Sequence, residues 1–183
     1  MGLQTVLILA IVSFTIFIIY NSVAIGIFGI PWSMSKTYYL YEEKKKGLGW
    51  IFTIFMWLMA FMLVPAFLEI SDTVGPWMNN FTFLAFISAA GIMFVGAAPR
   101  YKEDLEGDVH MTAAKICAAA SLVWCFLVCW NIWWVPICGA AVPAIIGACT
   151  KSWKEGRDYW IEMMAFDATF ATIITECILL MLK

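Results

Sequence analysis

Four ionisable residues stand where apolar sequence surrounds them: Lys115, Glu162, Asp167 and Glu176. In a bilayer such a group costs several kcal/mol at mid-depth and normally faces a partner or a water-filled cavity, so these four are the first candidates for function. Lys115 lies about six residues from the charged end of its apolar run and Asp167 about seven from that of its own, so at about 1.5 Å per residue their depths match. The spacing predicts a Lys115–Asp167 contact, with Glu162 as the shallower competitor. The alternative is that Lys115 snorkels to the headgroups and Glu162 simply reaches the interface. At about 100° per residue, Glu162, Thr169, Thr172 and Glu176 fall within about 80° of one another and form one polar stripe. Such a stripe lines a hydrophilic path or serves as hydrogen-bonding glue between helices.

Other chemistry finds less material. His110 is the only histidine, which excludes a two-histidine haem within one chain. It opens a stripe of His110, Ala114, Cys117 and Ser121, but His110 and Cys117 are about 10 Å apart along a helix axis, too far to share one metal ion. Cys125 and Cys129 are one turn apart without a third ligand, and Met56, Met59 and Met62 are expected to be packing filler rather than copper ligands. The acidic run 103–108 offers either a hard-cation site at the membrane face or a solvated loop. No metal, cofactor or catalytic residue is assigned, and nucleophilic catalysis would require His110 beside a hydroxyl or thiol.

The elements that carry these residues follow from composition. The chain has 183 residues, 63% apolar and only 13% charged, with a mean hydropathy of +0.87. A soluble domain is about 45 to 50% apolar and about 25% charged, so the expected solvent is lipid. Apolar runs over 4–31, 50–70, 79–98, 109–130, 133–149 and 160–182 predict an all-α, polytopic six-helix transmembrane bundle forming a single domain. The first run lacks the basic start and cleavage site of a secretory signal and is expected to be a retained helix. Five of the six cysteines lie inside apolar runs and Cys149 at the edge of one, so a disulfide framework is not expected.

Orientation follows from Lys and Arg. Lys36, Lys44, Lys45, Lys46, Arg100, Lys102, Lys151, Lys154 and Arg157 all fall in the first, third and fifth loops, and none in the second or fourth. The positive-inside bias therefore predicts cytoplasmic odd loops and both termini outside. A bacterial inner membrane is the default location. Thirteen acidic against eleven basic residues give no polyanion-binding surface, and nucleic acid is excluded as a partner. Trp32, Trp50, Trp153 and Trp160 are expected at the inner interface and Trp77, Trp130, Trp133 and Trp134 at the outer one. Trp57 and Trp124, at mid-depth, are expected to pack between helices. The fifth run carries Pro136, Gly139, Pro143 and Gly147, the mark of an irregular helix and the expected wall of a cavity.

Gly91-Ile-Met-Phe-Val-Gly96, followed by Val109-His110 and Ala113-Ala114, resembles a pattern in the FRAG/DRAM/Sfk type of small polytopic membrane proteins. The resemblance spans about 30 residues at the joint of the third and fourth runs. It implies a lipid-linked, non-catalytic membrane role with His110 as a structural position.

Together these features predict a small membrane protein that moves or senses a small solute, ion or lipid through a region walled by the fourth to sixth runs. The alternatives are a non-catalytic partner or assembly subunit, contacting another membrane protein or a second copy, and an intramembrane lipid-modifying enzyme using His110 and the acidic loop.

Overall fold

A computed structural model describes residues 2–97 and 106–183, and the described residues are helical throughout with no strand. The seven helices are α1 (Leu3–Phe28), α2 (Lys36–Lys44), α3 (Trp50–Val74), α4 (Phe83–Ala97), α5 (Glu106–Val128), α6 (Trp134–Cys149) and α7 (Arg157–Met181). Five stretches have the length and composition of a membrane span: α1, α3, Pro76–Ala97, His110–Val128 and α7. The Pro76–Ala97 stretch begins with a 3₁₀ turn over Pro76–Phe81 that feeds α4. α6 is apolar but has 16 residues, shorter than the other five. The outward faces are apolar too, with Ile8, Ile19, Ile54, Phe61, Phe86 and Ile145 all exposed. Surface of this kind calls for a lipid or protein cover.

The helices close a ring. α1 packs on α3, α3 on α4, α4 on α5, α5 on α7, and α7 returns to α1, while α6 lies outside the ring against α7. Side chains that donate to a neighbouring helix's backbone stitch the seams. Thr53 donates to the Gly96 carbonyl at 2.8 Å, Trp57 to that of Met93 at 3.0 Å, and the Cys117 thiol to that of Ser88 at 3.1 Å. Trp124 is fully buried, donates to Ser71 Oγ at 3.0 Å and meets Phe67 edge-on at 4.4 Å. Between α1, α3 and α7 an aromatic cluster forms, in which Phe17 sits 4.9 Å from Phe166 and Tyr20 stacks on Phe55 at 3.9 Å.

Small residues set the seam between α6 and α7. A Cβ at Gly139 would stand 2.6 Å from the Asp167 carbonyl and 2.7 Å from Ala171, and one at Gly147 would meet Trp153 and Trp160. Of the two prolines, Pro136 lies in the first turn of α6, where a missing N–H costs nothing. Only Pro143 is interior, and the helix continues through it. Trp153 and Trp160 are held at this seam, donating to the Ala144 carbonyl at 3.2 Å and Ser152 Oγ at 2.9 Å. Trp160 is buried, in contrast to the interface position expected of it, because the approach of α6 covers the ring.

α2 lies in what the sequence presents as a loop. Its nine residues, Lys-Thr-Tyr-Tyr-Leu-Tyr-Glu-Glu-Lys, are too polar for a span, and they pack on α3. The following turn is organised by Glu42, whose carboxylate accepts from the Gly47 N–H at 2.9 Å and the Gly49 N–H at 3.0 Å. Gly47 there has φ +91°, a left-handed conformation that favours glycine. Those two N–H groups hold the Glu42 carboxyl below the usual carboxylate range. A depressed folded-state pKa means that this turn is held above the unfolded carboxylate's pKa and released as pH falls through the lower, folded value. Amide protection factors at Gly47 and Gly49, taken against the intrinsic exchange rate at each pH, should therefore be high at neutral pH and fall on acidification, and in Glu42→Gln that fall should be absent.

The α6–α7 seam gives a second test. Gly139→Ala should cost about 1 to 3 kcal/mol through overpacking against backbone that has no room to give. Gly26→Ala, where a Cβ meets nothing within 4 Å, should be neutral or stabilising by up to about 1 kcal/mol. Thermal unfolding of both variants in one detergent distinguishes them.

Candidate functional site

The site begins where α1 ends. Gly29, at φ +74°, closes α1 with its N–H on the Ile25 carbonyl at 2.9 Å. The chain then runs without helix to Ser35, folded back against the start of α7. A helix start leaves its first N–H groups unpaired, and here the Trp32 carbonyl accepts the Tyr159 N–H at 2.9 Å. In return, Glu162 Oε2 accepts the Met34 N–H at 2.5 Å. Gly156 completes the fit, since a Cβ there would stand 2.7 Å from Ile30 and 3.1 Å from the Pro31 carbonyl.

A polar net anchors the same segment to α1 and α2. Tyr20 Oη and Thr37 Oγ1 are 2.6 Å apart, and Thr37 donates to the Met34 carbonyl at 2.6 Å. Tyr159 Oη donates to Asn21 Oδ1 at 3.0 Å, and Asn21 donates to the Phe17 carbonyl. Ser33 and Ser35 share a hydrogen bond, and Ser33 Oγ accepts the Lys36 N–H that opens α2.

Beneath this segment lies a cavity of about 70 Å³. Its walls come from α3 (Met56, Leu63, Phe67), α4 (Ile92, Val95), α5 (Ala114, Cys117, Ala118, Ser121) and α7 (Glu162, Ala165, Phe166, Thr169), with Met34 and Ser35 at the top. The lining is mainly apolar. Glu162 supplies its one carboxylate, and Ser35, Cys117, Ser121 and Thr169 supply hydroxyls and a thiol. A water occupies about 10 to 15 Å³ on this measure, so the space holds several waters or a short alkyl chain.

The polar stripe of α7 is divided between two places. Glu162 and Thr169 face this cavity, while Glu176 faces a second one at the far end of the bundle. Between them the bundle is filled by Trp124, Phe67, Cys125 and Ile173, all essentially inaccessible. The buried Thr172 hydroxyl has no hydrogen-bond partner among the described residues, and the Cys125 and Cys129 thiols lie beside it.

The structure does not bring Lys115 and Asp167 together. Lys115 is exposed on α5, whereas Asp167 is buried on α7 and its Oδ1 has no hydrogen-bond partner among the described residues. Equal depth placed the two residues at one level but said nothing of azimuth. The wall expected of α6 is also absent from the cavity. Pro136, Gly139, Pro143 and Gly147 contribute no lining residue, because the small residues let α6 press on α7 from outside the ring. The walls are instead α3, α4, α5 and α7, of which only α5 and α7 belong to the region expected from sequence.

His110 is half-buried at the start of α5 and does not line the cavity. The side chains of the acidic run 103–108, together with Arg100 and Lys102, lie outside the described residues. Among the described residues no group of three His, Cys, Asp or Glu is placed to hold a metal ion, and all six cysteines are free thiols. Gly91 and Gly96 have local packing roles, since added Cβ atoms would stand 2.5 Å from Cys117 and 2.7 Å from Met56. No family model matches the chain, and neither a curated protein nor a solved structure matches it.

Sequence reasoning missed the Gly29–Ser35 segment and its bond to Glu162. The available signal was Gly29-Ile-Pro31 followed by Ser33-Met-Ser35, a helix stop and then a local hydrogen-bonding pattern. Removing the Glu162 acceptor leaves the Met34 N–H buried and unpaired, at a cost of about 1 to 3 kcal/mol. Glu162→Ala should therefore accelerate amide exchange at Met34 and neighbouring residues. Glu162→Gln, which keeps an acceptor, should retain most of the protection.

Proposed function

We propose that this chain is an integral membrane protein of six crossings, with both termini outside, that senses or moves a small apolar or amphipathic molecule held in the cavity between α3, α4, α5 and α7. The observation that carries the reading is the cavity itself: an apolar chamber with a single carboxylate, Glu162, at the end where the loop residues are basic. Pockets for small molecules are of this kind, apolar walls with a few polar groups that fix orientation. The molecule's apolar part would lie along Leu63, Phe67 and Ile92, and its polar end would reach Glu162 and Ser35. Sensing requires only that occupancy alter the Glu162–Met34 contact. Movement would in addition require the packing around Phe67 and Trp124 to open.

The crossing number adds the short α6 to the five longer stretches, and the basic odd loops support cytoplasmic placement of the Glu162 end. A bacterial inner membrane remains the proposed setting.

A diazirine-bearing medium-chain alcohol, photoactivated on the protein in bilayer nanodiscs, tests the reading. Labels should concentrate on the cavity-facing segments of α3, α5 and α7, near Leu63, Ala118 and Ala165. Ala118→Phe, which fills the chamber, should cut that labelling about tenfold without altering labels on the outward face of α1. Labels spread only over outward faces, or unchanged in Ala118→Phe, would overturn the assignment.

A further inference from the structure

α7 carries a second buried acid whose surroundings the first cavity does not explain. Glu176 lies 14 residues beyond Glu162, or about 21 Å along the helix, at the opposite end of the bundle. It is 6% exposed and faces a cavity of about 650 Å³ bounded by Val74, Trp77, Leu127, Trp130 and Lys183. Among the described residues the carboxylate has no ion pair. The Cys129 thiol lies beside it, and Lys183 lies near enough to attract it without closing a salt bridge. A buried carboxylate left without a cation is costly, and this one opens onto a space large enough for a small organic ligand. Trp77 and Trp130 line this cavity and are 45% and 75% exposed, and indole rings attract cations.

We propose that this outer cavity is a binding site for an organic ammonium group, with Glu176 as counter-ion, Trp77 and Trp130 as aromatic walls, and Val74 and Leu127 as the surface for attached carbon. The ammonium has two sources, a free amine or the ethanolamine headgroup of a lipid. Lys183 at the rim opposes a second positive charge and so favours monovalent amines. The site is independent of the Glu162 chamber.

The probe is phenethylammonium, with 2-phenylethanol as its neutral counterpart, titrated into the full chain in nanodiscs and followed by calorimetry. Saturable binding of the cation is expected, weakened at least about tenfold by Glu176→Gln and by Trp130→Ala, with 2-phenylethanol comparably weak and Ile54→Ala, an exposed position on α3 that lines neither cavity, binding as the parent does. Nanodiscs containing phosphatidylethanolamine distinguish the sources. Weaker apparent affinity there assigns the site to the lipid headgroup, and unchanged affinity assigns it to a free amine. Trp130 is exposed enough to be replaced without disturbing the bundle, so the test does not hang on whether Glu176→Gln folds. Absence of saturable binding, equal affinity for 2-phenylethanol, or wild-type affinity in Trp130→Ala would overturn the proposal.

Discussion

Buried backbone that leaves a helix must find its hydrogen-bond partners inside the protein, because an unpaired buried N–H or C=O is costly. Between Gly29 and Ser35 those partners are the start of α7 and one carboxylate. The exchange is reciprocal: the Trp32 carbonyl completes the first turn of α7, and Glu162 completes the Met34 amide. Much else at this end of the bundle depends on that exchange. It draws α1 against α7 and so closes the ring of five helices, and it sets the start of α2, through which Thr37 reaches Tyr20. It also suspends Met34 and Ser35 over the chamber. A neutral hydrogen bond contributes only about 1 kcal/mol net, but here each bond also removes an unpaired buried group, which is where the larger stabilisation lies.

The seam between α6 and α7 solves a different problem. Two apolar helices in lipid gain little by hiding apolar surface from one another, so close approach and dispersion must supply the attraction. Gly139 and Gly147 allow it, and Trp153 and Trp160 lock it with bonds to the Ala144 carbonyl and Ser152. The same residue types that read as a flexible cavity wall therefore serve as an adhesive face. Glycine marks a place where something comes near; it does not say whether that thing is a ligand or another helix.

The contrast indicates what was legible in the residues alone. The helical class and the approximate extent of the apolar runs follow from hydropathy and length, because each run makes its own case without reference to a neighbour. Trp57 and Trp124 were expected to pack between helices, and Trp124 does so against Phe67. α2 was hidden because its polarity resembles that of a loop and its helicity rests on contacts with α3. Ring order was hidden as well. Lys115 and Asp167 share a depth, but no periodicity within α5 or α7 tells how one helix is rotated relative to the other. Glu162 was singled out for its charge, yet its partner is a main-chain amide more than a hundred residues away, a contact that carries no side-chain signature.

Among the described residues α7 is the only long helix whose sequence contains neither glycine nor proline. Prolines and small-residue pairs are where helices bend, and a helix without them behaves as a stiff lever over a few turns. Glu162 and Glu176 are mounted near opposite ends of that helix, on either side of the packed middle around Trp124 and Phe67. The spacing between the two carboxylates is thus set by the rise of one unbroken helix, and each acid keeps to its own cavity.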